Sequence, residues 1–130
     1  STRGYLVSTD EYVNGLKDGA EHIFYGDSTL AELIHWKADQ KNGEWLIYSA
    51  LRKPILKGFF SNGQLHGSYL TYHPSGKKKV EGAYKKGLKN GKWFYYSDKG
   101  IQEKMEVYEY GDIIKTVTRY GEELKTIKHR

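Results

Sequence analysis

The chain has 130 residues, a formal net charge of +5, 38% hydrophobic and 15% aromatic residues, and no cysteine. That length suits one domain with a modest core, and the ring content argues against disorder. The missing thiols exclude a disulfide scaffold and thiolate chemistry, and no apolar run approaches the ~18 residues of a helical membrane span.

Taken in chain order, the sequence predicts short strands in a fixed repeat. Residues 1–14 read as a partial unit, with Gly4 in a turn position and Tyr12 near its end. Units of 24 residues follow near 15–38, 39–62, 63–86 and 87–110, and a degenerate terminal unit occupies 111–130. Each unit opens on a turn residue: Gly15, Gly63, Gly87 and Gly111, with Asp39 as the exception. A second Gly column follows at Gly19, Gly43, Gly67 and Gly91, where the last unit has Lys115. Then comes a β-branched and aromatic run ("EWLIYS", "SYLTYH", "KWFYYS"), and after it turn residues such as "HPSGK" and "SDKGI". A second run ends on the aromatic column Tyr12, Trp36, Phe60, Tyr84 and Tyr108. Two runs joined by Gly-bearing turns describe a β-hairpin. A helix is disfavoured, because paired Gly would interrupt it in every unit and no 3.6-residue stripe survives.

The pattern Y-x-x-G-x-x-x-G-x-W/Y-x-x-Y, followed by a Gly turn and a second strand, resembles the MORN repeat, and most of all its bacterial variant. "YKKGLKNGKWFYYSDKG" and "FFSNGQLHGSYLTYHPSG" carry the likeness best. It spans nearly all of residues 4–124, is strongest over 58–112, and weakens in "WKADQKNGEWLIYSALRKPIL", where both turn Gly columns are replaced. The resemblance implies an all-β fold of tandem hairpins stacked into one elongated, twisted antiparallel sheet.

Two aromatic columns stand out within the first strand of each unit. Trp45, Tyr69 and Trp93 form one, which continues to Val117; Tyr48, Tyr72 and Tyr96 form the other, three residues further on. In a regular strand the two columns face opposite sides. Either both faces are partly covered, or a bulge redirects one column. We read the rings as core packing; the alternative is an exposed platform for peptide, glycan or unstacked bases.

Charge is uneven along the chain. Residues 1–58 hold seven basic and eight acidic side chains, and residues 59–130 hold fourteen and eight. Lys77, Lys78, Lys79, Lys85, Lys86 and Lys89 are candidate anion contacts, in two groups at opposite ends of one strand. They suit weak, salt-sensitive attraction to nucleic acid or lipid headgroups rather than bidentate readout. Lys that protects exposed strand edges is the simpler account. His22, His35, His66, His73 and His129 lack metal-ligand spacing, so no metal site is expected. Glu103 with Glu106, or Glu122 with Glu123, lack an apolar pocket that would raise a pKa. No catalytic residues and no cofactor are expected.

The expected function is therefore a non-enzymatic module or scaffold that binds another protein, at a bacterial envelope or exported. The alternative is the antitoxin or immunity role often assigned to the variant family, which would be cytoplasmic. Weak binding to an anionic membrane surface stands third, and no specific nucleic-acid partner is expected.

Overall fold

A computed structural model of the chain describes residues 6–120 and 123–129. The strands are β1 (Leu6–Thr9), β2 (Tyr12–Val13), β3 (Leu16–Lys17), β4 (Gly19–Tyr25), β5 (Leu30–Lys37), β6 (Gln40–Tyr48) and β7 (Pro54–Ser61). They continue as β8 (Gln64–Leu65), β9 (Gly67–Tyr72), β10 (Lys78–Lys85), β11 (Leu88–Tyr96), β12 (Gln102–Glu109), β13 (Asp112–Tyr120) and β14 (Glu123–Lys128). One antiparallel sheet runs β1-β4-β5-β6-β7-β9-β10-β11-β12-β13-β14, with β8 on β7 and a separate β2–β3 ribbon. The sheet is not closed into a barrel, and the described residues contain no helix. The main path follows chain order, with β1 meeting β4 beyond the β2–β3 ribbon and β7 meeting β9 beyond β8, so the array is all-β and local in its connections, as the hairpin repeat predicts.

Turn chemistry explains the spacing. Asn14–Gly15, Asn62–Gly63, Lys86–Gly87 and Tyr110–Gly111 all have positive φ at both residues, and so do Ala38–Asp39. This is the two-residue turn whose twist matches that of its flanking strands. Successive turns are stitched together along that edge. The N–H groups of Asp39, Gly63, Gly87 and Gly111 donate to the carbonyls of Lys17, Lys41, Leu65 and Lys89 at 2.8–3.1 Å. Asn42 and His66 side chains accept from the Asn62 and Lys86 N–H groups in the same way.

The second Gly column lies inside the strands and makes a bulge. Glu81 pairs with Phe94 and Ala83 with Asn90, so Gly82 alone faces residues 91–93. Gly43, Gly67 and Gly91 take φ of 117°, 97° and 78° there, values an L side chain resists. Where Lys115 replaces Gly, the shift is smaller: Val107 pairs with Lys115 and Tyr108 with Ile113. The outer part of β13 is therefore slipped by one residue. Leu56 pairs with Thr71, and a strict copy would pair Lys104 with Arg119, but its partner is Thr118. A slip of one exchanges the two faces. Val117, expected to continue the Trp93 column, turns to the opposite face, and Thr116 and Thr118 take the packed side.

That packed face holds the core. Ala31, Ile34, Leu56 and Trp93 are buried, and Trp93 is only 1% exposed. Its ring meets Tyr84 edge-on at 5.1 Å, Tyr69 at 5.7 Å and Tyr108 at 6.3 Å. Trp45 packs on Phe60 at 5.2 Å. Gly58 and Gly82 leave the room these rings fill: a Cβ on Gly58 would touch Trp45 and Tyr69, and one on Gly82 would overlap Trp93.

Candidate functional site

The opposite face carries the Tyr48–Tyr72–Tyr96 column. Phe94 and Tyr96 stack at 6.5 Å, and the Tyr96 hydroxyl donates to Glu81, the partner residue of Phe94. Strand alternation thus survives from Trp93 to Tyr96, and each face is partly covered. The glycine bulge of this strand ends at Trp93, and the one beside Tyr96 lies in the neighbouring strand: Tyr95 pairs with Lys104 and Tyr96 with Gln102, leaving Glu103 between.

These Tyr residues end their strands at the turn within each unit. The same two backbone bonds close that turn at Tyr25, Ser49, His73 and Ser97. The residue at this position also reaches forward to the next unit. The Tyr25 hydroxyl donates to the Tyr48 carbonyl at 2.8 Å, and His73 Nε2 lies 2.8 Å from the Tyr96 carbonyl. The turns of successive units are thereby held side by side.

Between them lie three shallow hollows. The first, about 350 Å³, is lined by Ser28, Thr29, Leu30, Tyr48 and Arg52. The second, about 330 Å³, is lined by Leu51, Lys53, Pro54, Ile55, Tyr72, His73 and Pro74, with Ser49. The third, about 450 Å³, is lined by Tyr72, Gly76, Lys77, Lys78, Tyr96 and Gly100. Thr29, Leu30 and Tyr48 in the first become Lys53, Pro54 and Tyr72 in the second, and Lys77, Lys78 and Tyr96 in the third. The first and third hollows are thus the same site two periods apart, and the second shares these three positions with them.

Cations dominate this edge. Arg52, Lys53, Lys77, Lys78, Lys79 and Lys99 stand in or beside its turns, against Asp27, Glu81, Asp98 and Glu103. Lys53 Nζ donates to the Pro74 carbonyl at 3.3 Å and Lys77 Nζ to the Lys99 carbonyl at 3.1 Å. Each ammonium is fixed between two turns with one of its three donors used. Lys78 pairs with Glu81 at 3.2 Å, and that hydrogen bond and charge hold its pKa above the usual value. Burial, then Glu81, pushes the Tyr96 hydroxyl up as well.

The other predicted residues lie elsewhere. Lys85 and Lys86 line a hollow of about 310 Å³ at the far edge, with Leu88, Asn90 and Tyr110. They sit at the other end of β10, roughly 23 Å from Lys78 at ~3.3 Å per residue. Lys89 Nζ lies over the Trp93 ring at 4.7 Å and the Tyr108 ring at 5.0 Å. Trp45, Tyr69 and Trp93 are on the packed face, with Trp45 and Tyr69 half-buried. Sequence reasoning passed over Arg52, Lys53 and Pro54, whose signal was their shared column with Gly76, Lys77 and Lys78.

One further titratable group is built into the packed face. Glu106 accepts from the Tyr95 hydroxyl at 2.7 Å and the Tyr108 hydroxyl at 2.9 Å, and Lys104 stands 3.5 Å away. Burial alone would raise Glu106, but these partners outweigh it and hold its carboxyl below the usual value. Burial, followed by Glu106, pushes Tyr108 up to about 12 and raises Tyr95 as well. Glu103 is exposed, and Glu122 lies outside the described residues.

No family model matches the chain, and no curated protein matches it. Solved structures similar to it include TarM, at 15% identity and a TM-score of 0.39, covering 98% of this chain and 22% of that one. Another is a mutant of S. aureus TarM in complex with fondaparinux, alpha-GlcNAc-glycerol and UDP. There the identity is 14% and the TM-score 0.39, covering 95% of this chain and 21% of that one. The chain thus spans about a fifth of the length of the structures it resembles.

Proposed function

We propose that the chain is a non-enzymatic, MORN-like interaction module that docks another protein along the Tyr48–Tyr72–Tyr96 edge. The observation that carries this reading is the threefold recurrence of one hollow, each with a Tyr wall and a turn residue in register. A repeat array offers a long, regular surface suited to an extended partner. The polar groups with shifted pKa values on the packed face support a structural role for that face, since Glu106 is engaged by two hydroxyls and an ammonium. A surface of Tyr and cations also has the composition of interaction sites, which favour aromatic anchors within a polar rim.

The test is affinity capture from extracts of the source cells, comparing the parent chain with a Tyr48→Ser, Tyr72→Ser, Tyr96→Ser variant. Circular dichroism and thermal melting first establish that the variant keeps its sheet. A stoichiometric protein partner held by the parent and lost by the variant is expected. A partner retained by the variant, or none captured by the parent, overturns the reading.

A further inference from the structure

The spacing and chemistry of the hollows define the partner more closely, and this inference rests on the docking reading above. We infer that the edge binds an acidic, proline-containing polypeptide in the polyproline II conformation, one three-residue turn per hairpin unit.

Spacing carries the first part. Equivalent hollows are two strands apart, or ~9.6 Å at ~4.8 Å per strand. A polyproline II chain presents the same side every three residues, at ~3.1 Å each, or ~9.3 Å. Over the two steps that link three hollows, the mismatch is about 0.6 Å. An extended β-strand repeats its side chains at ~6.7 Å and falls out of step at the first hollow. The ligand lies across the strands, along the line of turns, so it forms no ladder bonds with the sheet.

Chemistry carries the rest. Tyr48 lines the first hollow and Tyr72 the second, and Tyr72 and Tyr96 together line the third. Grooves between aromatic rings accept proline, whose pre-set backbone loses little entropy on binding. Lys53 and Lys77, one unit apart, are held in place by turn carbonyls with donors left over. They complement a carboxylate on each of two successive ligand turns, at the second and third hollows. The cation excess of this edge makes an acidic segment the matching partner.

The probe is a synthetic peptide of about four Glu-Pro-Pro repeats, long enough to span the three hollows. It is titrated calorimetrically at physiological salt, beside an equally charged Glu-Gly-Ser peptide and a Lys-Pro-Pro peptide. Anionic phosphatidylserine vesicles and duplex DNA form separate arms. The Glu-Pro-Pro peptide is expected to bind at least about tenfold tighter than the other peptides, a difference of the size one anchored contact supplies. Tyr72→Ser should weaken it by about tenfold. The doubly charge-reversed Lys53→Glu, Lys77→Glu variant, altered only at exposed positions, should weaken it while circular dichroism shows that the sheet is kept. Equal affinity for Glu-Gly-Ser, indifference to both variants, or tighter binding to vesicles or DNA overturns the inference. If the peptide fails while capture of a cellular partner still depends on the Tyr column, the polyproline ligand falls and the docking platform stands.

Discussion

Gly82 and Trp93 make the tightest fit in the sheet, because the indole occupies the space where any side chain at 82 would begin. The Trp93 Nε1–H donates to the Ala83 carbonyl at 3.1 Å, so the ring is anchored as well as buried. Gly82→Ala should cost about 1–3 kcal/mol through overpacking, and Trp93→Ala about 3–5 kcal/mol through the cavity it leaves. Urea unfolding measures both, and a Trp93→Ala loss below about 1 kcal/mol would show that the ring contributes little. Glu106 makes stability depend on pH. Its carboxyl is held below its ordinary value of 4.5, so its contribution is complete above that pH and disappears as pH falls through the lower folded value. The Tyr108 hydroxyl behaves in the opposite sense. Its pKa rises from 10.0 to about 12, so its contribution is complete below pH 10.0 and is lost as pH climbs toward about 12. Glu106→Gln should flatten the acid limb of a melting-temperature profile. An unchanged slope below pH 4.5 would remove Glu106 as its source.

At the scale of the strand, β13 shows what one side chain does to register. Lys115 stands where bulge glycines sit in earlier units, and the shorter bulge leaves Glu106 opposite Thr116. Thr116 is buried and bonds His129 at 2.8 Å, but the Thr118 hydroxyl is buried without a partner among the described residues. Thr118→Val should therefore stabilise the protein by about 1 kcal/mol by removing an unpaired polar group. Lys115→Gly should restore the longer bulge, so that nuclear Overhauser contacts place Glu106 opposite Val117 instead of Thr116. Persistence of the Thr116 pairing would trace the slip to something other than the missing Gly. Ala38 has φ of 49° in a turn position that favours Asn or Gly. Ala38→Asn should raise stability by roughly 0.5–1 kcal/mol, read from the denaturation midpoint. These elements also mark how far sequence reading reaches. Turn glycines and ring columns were legible because φ > 0 and ring packing admit few residue types. The β13 slip was not, since a column count assumes constant register and a bulge's length depends on backbone pairing. The hollows were half legible. Their Tyr walls form a column, but their other walls come from a neighbouring unit whose turn residues vary from Thr29 to Lys53 to Lys77.

Across the whole molecule, contacts run between neighbouring units. Eleven strands lie along the main path, which at ~4.8 Å each gives an array of about 50 Å. Small-angle scattering should report a particle of that length, and a compact sphere would contradict the open sheet. Along one edge, every turn from Asp39 to Gly111 also donates to the unit before it. Those bonds have a mechanical consequence. If opposing force is applied through handles on β1 and β14, the load lies along the line of units and opens one hairpin interface at a time. Each release frees a unit of 24 residues, lengthening the chain by about 75 Å once the ~9.6 Å of folded width is subtracted. The force–extension trace should be a sawtooth of even teeth, with a weaker one where β13 has lost its glycine bulge.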